Sequence, residues 1–149
     1  MIGLLQRVSR ASVSVEGEVI ARIGLGLLVL VGVERGDSEA EAKRLAQRLV
    51  EYRVFPDDSG RMNRSVADVG GGLLLVPQFT LAADTRKGTR AGFSTAAEPA
   101  VGAALFDRLV EETARFGLPT EQGRFGANMD VELVNVGPVT FWLHVPPRG

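Results

Sequence analysis

Two short segments hold the residue types from which a reaction site could be built. In Pro77-Gln78-Phe79-Thr80-Leu81 an apolar run, Leu73 to Val76, passes into polar side chains separated by Phe79. Backbone N–H groups just past a strand end lose their ladder partners and can point at a ligand oxygen, which is how a developing oxyanion is stabilised. The amide of Gln78 offers both a donor and an acceptor. Thr80 is the only hydroxyl of the motif. Direct attack by it would need a base beside it, and the motif supplies none. The same composition suits a strand end with ordinary turn residues, so the residues alone leave both readings open. In Asn135-Val136-Gly137-Pro138-Val139-Thr140 a proline separates two good strands. Proline in a strand removes a ladder bond and implies a bulge, an edge or a special turn. The preceding glycine permits close approach to another molecule. The bond between them can be cis at a cost of about 0.5–1 kcal/mol. A plain hairpin corner is the alternative.

The familiar machinery of hydrolysis is missing. There is no cysteine and a single histidine, His144, five residues from the end. A lone histidine in a predicted strand reads as structural, and a metal site needs several converging ligands. Neither a Gly-x-Ser-x-Gly elbow nor an HExxH pair occurs. Gly70-Gly71-Gly72 lacks the Lys-Ser/Thr of a phosphate loop. Gly24-Leu25-Gly26 follows a strand but leads into another strand, the wrong setting for a dinucleotide. Serine, cysteine and zinc hydrolases are therefore poorly supported, and nothing calls for a cofactor or a metal.

The elements that must position the two segments follow from periodicity. Met1 to Val15 alternates as a half-buried strand. Glu16-Gly17-Glu18 reads as a turn, and Val19 to Ile23 completes a hairpin. Gly24-Leu25-Gly26 reads as another tight turn before Leu27 to Val33, a strand apolar enough to be buried on both faces. Ser38 with Glu41 three residues on forms a capping box. Ala42, Leu45, Ala46, Leu49 and Val50 follow at helical spacing, with the basic residues of that helix on its other face. Pro56-Asp57-Asp58-Ser59-Gly60 is loop chemistry. Ala82 to Glu98 lacks periodicity, as functional loops inside compact domains often do. It carries Arg86-Lys87-Gly88-Thr89-Arg90, which suits either contact with phosphates or a solvated loop. Pro99 opens a second helix with Leu105, Phe106, Leu109, Thr113 and Phe116 as its buried stripe and Gly117 as its stop. Val131 to Val136 and Val139 to Val145 read as two strands flanking Gly137-Pro138.

This order predicts one α+β domain spanning 1–149, with a curved or barrel-like, mainly antiparallel sheet and two main helices, because the strand-to-strand turns are too short for parallel crossovers. At 149 residues the chain buries roughly 70% of the surface it would expose unfolded. Seventeen basic residues against 18 acidic ones give a net charge of −1, so any contact with nucleic acid must be local. The apolar stretch Ile23 to Val33 is too short and glycine-broken to span a bilayer. No basic leader with a small-residue cleavage site is apparent. A cytoplasmic protein with no membrane partner is the expectation.

Over its whole length the sequence resembles the D-aminoacyl-tRNA deacylases. The family pattern has Ser-Gln-Phe-Thr-Leu and Gly-Pro-Val-Thr segments at about the present interval. The likeness includes Leu5-Gln6-Arg7-Val8, Ala82-Ala83-Asp84-Thr85, Gly123-Arg124-Phe125-Gly126-Ala127-Asn128-Met129 and Phe141-Trp142-Leu143. The resemblance implies a homodimer that cleaves the ester joining a D-amino acid, or mischarged glycine, to the terminal adenosine of tRNA. It implies that Gly137-Pro138 is cis, that it enters the active site of the other subunit, and that it rejects L substrates by steric exclusion. Its two neighbouring carbonyls would hold the substrate's α-amino group. Arg7 matches a family arginine that orients the Gly-Pro pair. Phe125 and Met129 match positions near the terminal adenosine. Gln78, Phe79 and Thr80 would be the catalytic segment. There the backbone N–H groups act on the oxyanion, Gln78 positions ribose or water, and the tRNA 2′-hydroxyl assists. Pro77 departs from the family's serine, which removes a hydroxyl and a backbone N–H. A related deacylase branch also opens this motif with Pro-Gln but lacks the phenylalanine present here as Phe79. The alternative function is a tRNA 3′-end or nucleotide-binding module without catalysis.

Overall fold

The computed structural model describes residues 1–148. The chain opens with strands β1 (Ile2–Val15), β2 (Glu18–Ile23) and β3 (Gly26–Gly32). Both β2 and β3 run antiparallel to β1. β2 partners its second half, from Val15↔Glu18 to Ala11↔Ile23, and β3 its first half, from Val8↔Gly26 to Ile2↔Gly32. The predicted tight turn at Gly24-Leu25-Gly26 is therefore a bend, not a reversal. β2 and β3 continue in one direction along β1, and the bend lets the sheet curl.

Helix α1 (Glu39–Glu51) starts at the predicted capping box: Ser38 accepts from the helix backbone and Glu41 reaches back to it. Its stripe Ala42, Leu45, Ala46, Leu49 and Val50 is buried. Two short strands, β4 (Phe55–Pro56) and β5 (Met62–Arg64), flank the Asp57 loop. A single-turn helix α2 (Val66–Val69) leads into β6 (Gly72–Pro77), and a 3-10 turn covers Phe79–Ala82. α3 (Pro99–Ala114), β7 (Thr120–Gln122) and β8 (Asp130–His144) complete the order. The stripe of α3 is buried as expected at Leu105, Phe106, Leu109 and Thr113. Phe116 is an exception: it lies beyond the helix end and is exposed.

Three expectations change. The sheet is mixed: β3–β6 and β6–β7 are parallel. Within this sheet short turns join only β1, β2 and β3; the long segments carrying α1 and α3 act as the crossovers that parallel strands require. Beside the two main helices, α1 and α3, the described residues form a third, α2, a single turn that its Ser65 cap and Gly70 stop make possible. And the two strands expected around Gly137-Pro138 are one strand, β8, paired along the length of β1.

The sheet curls into a nearly closed barrel, β2 returning against β6 and β7. α1 and α3 pack together over one face, where Leu45, Leu49, Phe106 and Leu109 meet Leu5, Leu27, Val29, Leu73 and Leu75. The alternate residues Val8, Val13, Leu28, Leu74 and Val76 fill the other face, inside the curl. β3 and β6 are thus buried on both sides, and each such leucine contributes about 1.5–3 kcal/mol. No helix among the described residues is long and apolar enough to cross a membrane.

Candidate active site

A cavity of about 560 Å³ opens where β6 ends. Pro77, Gln78, Phe79 and Thr80 form one side, Gly102 and Phe106 of α3 the back, and Phe125 and Met129 the facing wall. The structure thereby brings together six of the residues singled out from the sequence. None of the residues lining the cavity carries an ionisable side chain. Any proton transfer there must use water, hydroxyl or amide groups, or the ligand itself.

The end of β6 shows how the reactive segment is made. The Gln78 N–H donates to Val31 O at 2.8 Å and closes the β3–β6 ladder. The chain then tightens, with Leu81 N–H donating to Gln78 O at 3.1 Å and Ala83 N–H to Thr80 O at 3.1 Å. The N–H groups of Phe79 and Thr80 open this turn and find no acceptor among the described residues, as the first donors of a helical turn generally do not. The Gln78 Nε2 donates to Thr80 Oγ1 at 3.1 Å. A donating amide cannot serve as the base for that hydroxyl, whose own proton stays available to a ligand.

The facing wall depends on two glycines, Gly102 and Gly123, whose packing role the sequence did not signal. A Cβ on Gly102 would come within 3.3 Å of the Phe125 ring, and one on Gly123 within 2.8 Å of Met129 Sδ and 3.3 Å of Pro77 Cδ. Small residues at both places let the aromatic ring and the thioether seat deeply. The Arg124 N–H also donates to Met129 Sδ at 3.3 Å.

Gly137, Pro138 and Arg7 are not part of this lining. In the β1–β8 register Gln6 faces Thr140 and Val8 faces Asn135. The residues between on β8 therefore loop out of the ladder. The Gly137-Pro138 bond at the crest is cis, with Gly137 at φ +129, and both residues are exposed. Arg7 braces the bulge: its Nε donates to Val136 O at 3.1 Å and its Nη1 to Val54 O at 2.7 Å. Asn135 closes the base, donating from Nδ2 to Thr140 Oγ1 at 2.8 Å and accepting from Val139 N–H at 2.9 Å. Asn135 is a functional residue that the sequence reading does not assign, although its place two residues before Gly137 is a usable signal.

His144 lies outside the lining too. Its Nε2 sits 2.6 Å from Glu34 Oε1, and its ring is 5.1 Å from that of Trp142. Burial alone would raise the Glu34 carboxyl, but hydrogen bonds from the Met1 nitrogen and His144 hold it below its ordinary range.

Residues 4–144 match the model of the D-Tyr-tRNA(Tyr) deacylase family. This chain belongs to that family. It is 63% identical over 147 residues to the D-aminoacyl-tRNA deacylase of Thioalkalivibrio sulfidiphilus, covering 99% of each chain. It is 62% identical over 147 residues to that of Alkalilimnicola ehrlichii, covering 99% of this chain and 98% of the other. Among solved structures, one titled c-Myc DNA Unwinding Element Binding Protein superposes with a TM-score of 0.92 at 36% identity, over 98% of this chain and 99% of that one. A probable eukaryotic D-amino acid tRNA deacylase shares the fold, with a TM-score of 0.78 at 18% identity over 95% and 97% of the two chains. Family membership assigns the reaction class, hydrolysis of an aminoacyl-tRNA ester. Within the family, the cavity beneath the Phe79–Thr80 turn is the candidate for that chemistry.

Proposed function

We propose that the chain hydrolyses D-aminoacyl-tRNA and glycyl-tRNA in the cytoplasm as a homodimer, sparing L-aminoacyl-tRNA. The observation that carries this reading is a division of labour. Two N–H groups without an acceptor among the described residues belong to the segment that lines a cavity without ionisable side chains, while an exposed, braced Gly-Pro bulge stands outside that same cavity. A second copy is the natural owner of the cavity that the bulge serves. Support comes from β8, which leaves Val134, Val136 and Trp142 exposed beside the bulge. Long apolar edges of this kind are otherwise liabilities.

The terminal adenosine sits against Phe125 and Met129, with the ester carbonyl oxygen facing the N–H groups of Phe79 and Thr80. Water adds to the carbonyl carbon, and the two N–H groups take the charge that grows on the oxygen. The tetrahedral species collapses with loss of the ribose 3′ oxygen. The proton given up by water passes to that oxygen with help from the neighbouring 2′-hydroxyl. Gln78 positions the ribose or the water. The Gly137-Pro138 pair of the second copy lies where an L side chain would project. A D side chain points outward, and glycine has none to exclude.

The test is to incubate the purified protein with D-tyrosyl-, L-tyrosyl- and glycyl-tRNA and follow amino-acid release. Release from the D and glycyl esters with the L ester intact is expected. Rapid loss of the L ester contradicts the selection scheme, and no release at all leaves only a nucleotide-binding module. Thr80→Val should keep turnover on the D ester within about tenfold. A complete loss with tRNA binding intact would instead make the hydroxyl a direct participant.

A further inference from the structure

We propose that the segment from Asp84 to Ser94 is a docking track for the single-stranded 3′ end of the RNA, with Phe93 stacking a base upstream of the terminal adenosine and Lys87 and Arg90 meeting its phosphates. The proposal rests on the deacylase reading above and names a contact which that reading leaves open.

Asp84 and Gly92 exchange backbone hydrogen bonds in both directions, at 2.8 and 2.9 Å, which closes the neck of the loop. Thr95 Oγ1 donates to Ala82 O at 2.6 Å and ties the loop to the 3-10 turn at the cavity mouth. The loop holds three cations, Arg86, Lys87 and Arg90, and one carboxylate, Asp84. Arg86 occupies that carboxylate from two sides, Nε to Oδ1 at 3.0 Å and Nη2 to Oδ2 at 2.8 Å. Lys87 and Arg90 are left with no acidic partner in the loop, and both are exposed. A further cation joins at the neck, where Arg35 Nε donates to Ser94 O at 2.9 Å. On a chain of net charge −1 this is a strong local excess.

The loop exits through Phe93. Its ring centroid lies 5.3 Å from that of Phe79, and the two side chains are 47% and 61% exposed. Two touching aromatic rings in water, beside unpaired cations and against the mouth of a nucleoside-sized cavity, form the platform on which single-stranded nucleic acids stack. The cores of protein–protein interfaces are depleted of charge, so the surrounding cations favour a polyanion over a second copy on this patch.

The experiment compares D-tyrosyl-adenosine with D-tyrosyl-tRNA as substrates for the parent, Lys87→Gln/Arg90→Gln and Phe93→Ala. On D-tyrosyl-tRNA, kcat/KM should fall about tenfold in each variant, and on D-tyrosyl-adenosine it should stay within about twofold. The double variant should also flatten the slope of log kcat/KM against log salt by about 1.4, the value for two single-strand phosphates. Unchanged tRNA rates and salt slope, or equal losses on both substrates, overturn the proposal. So does a change of oligomeric state in Phe93→Ala, which would assign the aromatic pair to a second copy. If the parent releases amino acid from neither substrate, the deacylase reading fails on its own. The track is then judged by tRNA binding alone, where the same loss of slope supports it and an unchanged slope sinks it.

Discussion

The turn at Phe79–Ala82 and the bulge at Gly137-Pro138 are built by different physics. The turn inherits its geometry from the core. It continues β6, whose residues Leu73 to Val76 are almost completely buried on both faces, and is pinned by one ladder bond from Gln78 to Val31. The bulge sits on a strand that alternates between exposed and half-buried residues, and the two residues at its crest, Gly137 and Pro138, are exposed. It is held by polar side chains: Arg7 donates to the Val136 carbonyl, and Asn135 donates to the Thr140 hydroxyl and accepts from the Val139 N–H. Damage to packing should therefore reach the reaction through stability, whereas damage to the polar braces should reach selection and leave turnover nearly intact.

The largest expected effect is on the packed side. Leu74→Ala should cost about 2–5 kcal/mol of unfolding free energy in a urea titration, with the ratio of D to L hydrolysis unchanged in the molecules that remain folded. Next comes Arg7→Met. It removes hydrogen bonds from a charged donor, each worth about 1.5–3 kcal/mol, and frees the bulge. L-tyrosyl-tRNA hydrolysis should rise about tenfold or more, while kcat on D-tyrosyl-tRNA stays within about threefold. An equal loss on both hands would erase the distinction between the two regions. Gly102→Ala is milder. Its methyl must shift the Phe125 ring by a few tenths of an ångström, so KM for tRNA should rise severalfold with kcat nearly constant.

The smallest effect is a control remote from both regions. Hydrogen bonds from Ser38 hold the Glu41 carboxyl at about 2, below its usual 4.5. A group whose folded value is depressed adds stability above its unfolded value and loses it as pH falls through the folded one. The parent's advantage over Glu41→Gln should be full above about pH 5 and shrink towards pH 2, with turnover and selection at neutral pH unaltered.

Local signals were legible in the sequence, and pairings across the chain were not. Ser38 and Glu41 marked the start of α1 because a capping box is complete within four residues. The apolar run of β3 declared burial on both faces and that of β6 a strand, but neither could say that the two lie side by side in parallel, since that depends on how the intervening helices fold back. Pro138 announced an irregular strand. That the strand continues past it, with Asn135 bonding across to Thr140, needs the register with β1. The cavity was half legible. Pro77 to Thr80 stood out as residues, and Phe125 and Met129 by resemblance. Gly102 gave no sign, and Gly123 stood only as the first residue of the Gly123 to Met129 likeness, because a glycine's clearance exists only once its neighbours are in place.

The central claim, that the bulge of one copy guards the cavity of the other, is tested most directly in a mixed dimer. One copy carries Ala127→Trp to fill its cavity and keeps its bulge; the other carries Pro138→Gly and keeps its cavity. The only open cavity then faces the only intact bulge across the interface. The mixed dimer should hydrolyse D-tyrosyl-tRNA and spare L-tyrosyl-tRNA. Hydrolysis of the L ester as fast as by the Pro138→Gly homodimer would show that each cavity relies on its own chain, and would contradict the account.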